Sequence, residues 1–486
     1  MKFSLLVYST PVTVALSFAG ALSAIAFLIP NLAGSADAAP LPQTQNPPVT
    51  TGKSSVQIPD YLNANPNPLQ FPTKPEEVRI QGNVPITLAQ ALELAKRNNR
   101  DLQVTILQLE RSRSSLREAQ AALFPNLNLN SSVTNSGNGF RSRPSQPTTS
   151  FNGSAQLDYN LYTSGNREAS IRAAEEQVRV QEFTVETQAQ TISLNTTTQY
   201  YDLQQADEQV RINQSAVENA QASLRDTQAR LQAGVGTRFD VLQAQVNLAN
   251  AQQQLNNAFS QQAIARRQLA TLLSLPQSVN ITAADPVQVA GLWQQTVEQS
   301  IVEAFQNRPE LQQFLAQRNI SEQQRRQALS QLGPQISLSG NYNLLDQYND
   351  GVSVTDGYSI GLQTSLNVFD GGAARARADQ SRADIALAET QFATQRDQIR
   401  FDVEQFYSQL QANLNNIQTS SVALNQARES LSLARLRFQA GVGTQTEVID
   451  AENALTQAEG NRVSAILDYN RALANLQRSV TTRASR

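Results

Sequence analysis

Two hydrophobic periods alternate along this chain. The first has period two. In residues 151–162, Phe151, Gly153, Ala155, Leu157, Tyr159 and Leu161 stand between Asn152, Ser154, Gln156, Asp158 and Asn160. Residues 357–369 repeat the pattern, with Tyr358, Ile360, Leu362, Thr364, Leu366 and Val368 between Ser359, Gly361, Gln363, Ser365 and Asn367. The stretches before them alternate too: Leu127 and Leu129 beside Asn126 and Asn128, then Ile336, Leu338, Tyr342 and Leu344 beside Ser337, Ser339 and Asn343. Successive strand side chains point to opposite faces. The period therefore predicts four strands, at about 126–136, 151–162, 335–345 and 357–369, each with one apolar and one polar face.

The second period is seven. Leu203, Val210, Val217, Leu224 and Leu231 keep it in one stretch, and Val403, Leu410, Ile417, Leu424, Leu431 and Phe438 in another. Neither Gly nor Pro occurs from Asn166 to Gln232 or from Ala373 to Ala440. Helices of roughly 67 residues, about 100 Å long, follow over 165–232 and 372–440. Val241, Leu248 and Leu255 continue the spacing after the first, as do Val448 and Leu455 after the second, which predicts return helices over 237–275 and 444–476. The stripe reads as a packing seam, not as a ligand site. Between outgoing and return helices stand Gly234-Val235-Gly236-Thr237 and Gly441-Val442-Gly443-Thr444. The glycines supply the φ > 0 freedom of a tight reversal. Thr237 and Thr444 then cap the next helix, with Asp240 and Glu447 three residues on to complete a capping box.

The two series form a duplication with a period near 208 residues. Besides the tips, Phe124-Pro125-Asn126-Leu127 matches Gly333-Pro334-Gln335-Ile336, and Asn160 to Gly165 matches Asn367 to Gly372. Pro125 and Pro334 end short helices (87–123 and 296–332, the latter broken at Pro309) and enter the strands. Gly165, Gly371 and Gly372 turn strand into long helix. The expected layout is a first repeat over 86–283 and a second over 284–480.

The N-terminal residues change the compartment. Lys2 precedes an apolar run from Val12 to Ile29, and Ala36-Asp37-Ala38 offers a small-x-small cleavage pattern. Residues 1–38 read as a secretory signal peptide. Residues 39–85, rich in Pro, Asn, Gln and Thr, read as an extended linker, and 481–486 as a frayed tail. An exported chain with strands of about 11 residues fits tilted membrane strands, with Tyr159, Tyr162, Tyr342, Tyr358 and Phe369 as interfacial aromatics. A soluble sandwich would alternate in the same way. Four strands close no barrel, and lipid tolerates no open sheet edge, so several chains must pool their strands.

Composition removes most chemistry. Cys and His are both 0, which excludes disulfides, thiolate or imidazole metal sites, and Ser-His or Cys-His catalysis. The net charge of −3 gives no footprint for nucleic acid, and a mean hydropathy of −0.38 argues against a series of spanning helices. No catalytic, metal or cofactor residue is expected.

The order helix, strand, strand, long helix, tip, return helix, given twice, resembles the TolC-like outer membrane efflux protein family over roughly residues 85–480. Leu366-Asn367-Val368-Phe369-Asp370-Gly371-Gly372, the strand-entry prolines and both Gly-Val-Gly-Thr tips carry the resemblance. It implies a mainly α chain with a membrane β part: a homotrimer whose twelve strands close one barrel in outer membrane lipid, continuous with a periplasmic α-helical barrel. It also implies a periplasmic adaptor and an inner-membrane transporter as partners, in a tripartite efflux pump or type I secretion system carrying small molecules or polypeptides. The tips (Gly234, Val235, Gly236, Thr237; Gly441, Val442, Gly443, Thr444) would meet the adaptor. In a threefold copy Asp240, Glu447 and Asp450 would form an acidic entrance ring, which favours cations. The family's entrance-closing tyrosine and arginine are matched here by Ala440 and Gln445, so closure must differ, with Arg238 as another candidate cation. A periplasmic adaptor would show a single hairpin, and a coiled-coil structural protein would lack the strands.

Overall fold

Residues 62, 67, 69–80, 82–137, 148–276, 278–348 and 354–480 are described by the computed structural model. The expected signal peptide, the tail 481–486 and most of 39–85 lie outside them. In chain order the elements are α1 (Pro75–Val78), β1 (Asn83–Ile86), α2 (Leu88–Asn98), α3 (Arg100–Ala121), β2 (Asn126–Ser136), β3 (Thr148–Tyr162), α4 (Asn166–Gln232), α5 (Arg238–Leu272), β4 (Asn280–Ala283), α6 (Val297–Asn307), α7 (Pro309–Ser330), β5 (Gln335–Gln347), β6 (Thr355–Ser365), α8 (Ala373–Gln439) and α9 (Gln445–Val480).

Local chemistry sets the ends of these elements. Thr87 and Thr296 each close a capping box with the Gln three residues on, starting α2 and α6. Asn99 stops α2 and starts α3: its Oδ1 accepts from Leu102 N at 3.0 Å and its Nδ2 donates to Leu272 O at 2.9 Å. In the second repeat Pro309, without an N–H to lose, opens α7. Gly165, Gly371 and Gly372 have φ of 85°, 70° and 88°, the left-handed turn that lets a strand feed directly into a long helix.

The long helices find two successive partners each. At 1.5 Å per residue, the 67-residue α4 rises about 100 Å and the 35-residue α5 only about 53 Å. Half of the seam is left for other elements, and the short helices take it. The half of α4 nearer the tip packs on α5 and α9, and the half nearer the strands on α3 and α7; α8 packs on α9 and then on α7. The seam residues Leu203, Val210, Val217, Val403, Leu410, Leu424, Leu431 and Phe438 are buried, each contributing about 1.5–3 kcal/mol. Leu231, last in the first heptad series, is exposed instead.

A small core sits where the two sets of partners meet. β1 and β4 pair in parallel, Asn83 opposite Asn280 through Ile86 opposite Ala283. Ile86, Ile281, Leu94, Leu203, Leu269 and Leu273 pack there. The Tyr200 hydroxyl donates to Asp285 Oδ2 at 2.8 Å and lies 3.0 Å from Ile86 O, tying the pair to α4; burial pushes this phenol well above its ordinary pKa. The pair corrects the linker reading at its end: residues 83–86 form a strand, and α1 lies within the linker as well. Neither strand is visible in the sequence, because four residues are too few for a period and the partners lie 197 positions apart. The described strands thus number six, four of them in the larger sheet.

That sheet runs β2-β3-β5-β6, all antiparallel, with β3 pairing β5 across the duplication. The last strand ends at Ser365, short of the expected 369, so Leu366, Val368 and Phe369 lie beyond it and are exposed. A register shift between Asn160 and Tyr162 places Tyr162 opposite Ile336, so Leu161 is the bulged residue and not the next apolar step.

Candidate functional site: hairpin tips and the two faces of the sheet

Both tips reverse in the same way, and the two glycines of each have different tasks. Only the first takes positive φ, 73° at Gly234 and 76° at Gly441. The chain then folds back onto the helix end: Val235 N donates to Arg230 O at 3.0 Å and Gly236 N to the same oxygen at 3.1 Å, and Val442 and Gly443 do the same with Arg437 O. Gly236 and Gly443 have ordinary φ. They are needed for close approach, since a Cβ on either would lie 3.0 Å from the backbone nitrogen of Leu231 or Phe438. This corrects the expectation that both glycines need φ > 0. Gly234→Ala is expected to destabilise the tip by about 1 kcal/mol through φ strain. Gly236→Ala should cost at least as much through contact, as read by faster hydrogen exchange of the amides of Val235 and Gly236.

The candidate entrance residues separate into distinct environments. Thr237 caps α5 with a full box: Asp240 N donates to Thr237 Oγ1 at 3.1 Å, and Thr237 N donates to Asp240 Oδ2 at 3.1 Å. Glu447 does not mirror this. Its N donates to Thr444 Oγ1 at 3.3 Å, but its carboxylate turns to Arg437 at 3.5 Å. Asp450 and Arg238 are exposed and make no ion pair among the described residues. Gln445 is 2% exposed and donates to Ser223 Oγ at 2.7 Å. It therefore joins α9 to α4 inside one chain and is not presented to an entrance; packing of the two hairpins against each other, not local sequence, buries it.

Residues that sequence reading passed over hold the hairpins together near their tips. The Arg230 guanidinium stacks over Phe438 at 4.3 Å and donates to Gln439 O at 3.0 Å. Arg435 donates to Glu452 Oε1 at 3.0 Å and to Asn219 Oδ1 at 2.9 Å. Burial pushes the Glu452 carboxyl above its ordinary range, against the opposing pull of Arg435. A signal for part of this clasp did exist: Arg230 and Arg437 occupy equivalent places, each four residues before the first tip glycine.

The sheet has two unlike faces. Its register stacks Leu127, Leu157, Gly340 and Ile360 in one row, Leu129, Ala155, Tyr342 and Tyr358 in another, and Tyr159, Leu338 and Leu362 in a third. The rows between, on the opposite face, are Asn126, Asp158, Ser339 and Gly361; Asn128, Gln156, Asn341 and Ser359; and Asn130, Ser154, Asn343 and Gly357. Both outer strands have an open hydrogen-bonding edge, and every residue of β2 and of β6 is exposed. Side chains on the outer helices are also uncovered, among them Val104 and Leu107 on α3, Val246 and Phe259 on α5, and Phe401 and Leu433 on α8. Among the described residues no helix is long and apolar enough to cross a membrane.

Comparison with known proteins agrees with this geometry. The family model for outer membrane efflux proteins matches residues 91–274 and 300–481, one match to each repeat. Outer membrane protein TolC of Escherichia coli K12 is 23% identical over 404 residues, 79% of this chain and 79% of the relative. The pyoverdine export outer membrane protein OpmQ of Pseudomonas aeruginosa is 25% identical over 401 residues, 80% of this chain and 82% of the relative. Among solved structures, the outer membrane protein VceC of Vibrio cholerae superposes with a TM-score of 0.68 at 19% identity, over 81% of this chain and 95% of that one. The chain belongs to the outer membrane efflux protein family: it is an efflux channel protein of the outer membrane.

Proposed function

We propose that the chain works as a homotrimer, the exit duct of a tripartite efflux pump or type I secretion system that includes a periplasmic adaptor and an inner-membrane transporter. The observation that carries this reading is the four-stranded sheet with two open edges, one apolar face and one polar face. Closing it by pairing β6 of one copy with β2 of the next satisfies the edges, turns the apolar rows to lipid and the amide and hydroxyl rows to a water-filled lumen. The same threefold operation covers the exposed apolar side chains of α3, α5 and α8. The repeats 86–283 and 284–480 supply matching halves of each third, after removal of residues 1–38. No catalytic step belongs to this reading.

The tip loops Gly234 to Thr237 and Gly441 to Thr444 are the proposed adaptor contacts, and the entrance charge rests mainly on Asp450. Asp240 is engaged in its cap and Glu447 with Arg437, whereas Asp450 is exposed. Purified mature protein added to a planar bilayer should give discrete, long-lived current steps, and Asp450→Asn should reduce cation preference in a salt gradient. Arg230→Ala, which removes the clasp over Phe438, should raise the open fraction. Silence from all three chains would reject the duct, and an unchanged reversal potential in Asp450→Asn would reject the entrance role.

A further inference from the structure

The inward face of the sheet is almost free of charge. Its positions carry Asn, Gln, Ser, Thr and Gly from Asn126 through Ser365, with one apolar exception at Leu345. Asp158 is the one ionisable side chain on that face among the described residues. It stands level with Asn126, the first residue of β2, and four residues before β3 ends at Tyr162. Gln156 Nε2, two residues along the same face, donates to Asp158 Oδ2 at 2.9 Å and fixes the carboxylate beside the neighbouring amides. The basic residue nearest along the chain, Arg167, makes no ion pair with Asp158. Its guanidinium donates to Asn160 O at 2.8 Å and Ala122 O at 3.5 Å, and its ion pair, at 3.9 Å, is with Glu168.

We infer that Asp158 sets charge selectivity inside the barrel: three copies form a second acidic ring, distinct from the tips, that favours cations and cationic cargo over anions. The inference rests on the trimeric barrel proposed above. Twelve strands about 4.8 Å apart and tilted about 40° close a ring about 24 Å across. Each carboxylate then lies about 10 Å from the axis, close to one Debye length in 0.1 M salt. Coulomb attraction of three such charges, screened over that length in water, favours potassium over chloride on the axis about four-fold. With a Debye length of about 3 Å in 1 M salt, the preference vanishes. Among the described residues of that sheet face, no second ionisable side chain stands beside this ring.

The test uses reversal potentials in a shallow KCl gradient, on the mature protein carrying Arg230→Ala to favour the open entrance and Asp450→Asn to remove the tip charge. In that background a residual preference for potassium is expected near 0.1 M and not near 1 M. Adding Asp158→Asn should bring the permeability ratio close to one, and Asp158→Lys should invert it, with conductance near 1 M unaltered in Asp158→Asn. Current steps with the same ratio in all three chains would overturn the inference while leaving the duct intact. No current from any chain would overturn both.

Discussion

Leu157→Arg should abolish most assembled trimer in the outer membrane, while Asn341→Arg, on the neighbouring strand but the opposite face, should assemble normally. Leu157 lies between Leu127 and Gly340 in an apolar row that ends on Ile360. An arginine on the lipid face of a barrel costs about 2–4 kcal/mol near the midplane, and threefold symmetry would repeat that cost in every copy. Asn341 belongs to the row with Asn128, Gln156 and Ser359, where a charge would meet water. Quantifying the unheated trimer band in outer membrane fractions separates the two variants. Equal loss in both, or in neither, would mean that the apolar face does not meet lipid, and a closed soluble packing of the sheet would have to be considered again.

The second large effect is expected at the start of α7. Glu310 accepts from Arg308 at 3.0 Å and from Arg478, near the end of α9, at 2.6 Å, and the three side chains are 14%, 8% and 12% exposed. Burial alone would raise the Glu310 pKa, but the two guanidinium groups outweigh it and hold the carboxyl below its ordinary value. Glu310→Gln leaves two buried cations facing each other and is expected to lower stability by about 3 kcal/mol, read from the urea midpoint of the helical signal. The exposed pair Arg318 with Glu389, at 2.9 Å, is the control: Arg318→Ala should change the midpoint little. Because the folded pKa of Glu310 is depressed, its contribution is present above the unfolded value of about 4.3 and is lost as pH falls through the folded one. Acid should therefore narrow the gap between the wild-type chain and Glu310→Gln.

Much of the architecture is legible because it is local. Runs without Gly or Pro mark α4 and α8, the prolines at 125 and 334 mark the entries to β2 and β5, and alternation marks the four long strands. The candidate site was legible only in part. Thr237 and Asp240 could be paired from their spacing, because a capping box lies within one turn of chain. The same spacing at Thr444 and Glu447 misleads, since Arg437 competes for the carboxylate across the tip. Gln445 looked like an entrance residue until the packing of α9 on α4 enclosed it. Asp158 looked like one more polar step of a strand; its isolation shows only when four strands are set in register.

The sequence by itself determined the long helices and the four long strands, their duplication, most of the caps and turns that bound them, and the absence of thiol and imidazole chemistry. Each of these follows from a residue and its near neighbours, through backbone freedom, side-chain period or composition. Only the tertiary structure decided that β3 pairs β5 across the repeats, that β1 meets β4, and that the long helices change partners halfway. It also decided which charged groups near the tips are paired and which are exposed. Those outcomes depend on contacts between residues tens to hundreds of positions apart. There the matching of helix lengths, the register of the strands and the burial of the hairpin seam select one arrangement among many that satisfy the same local rules.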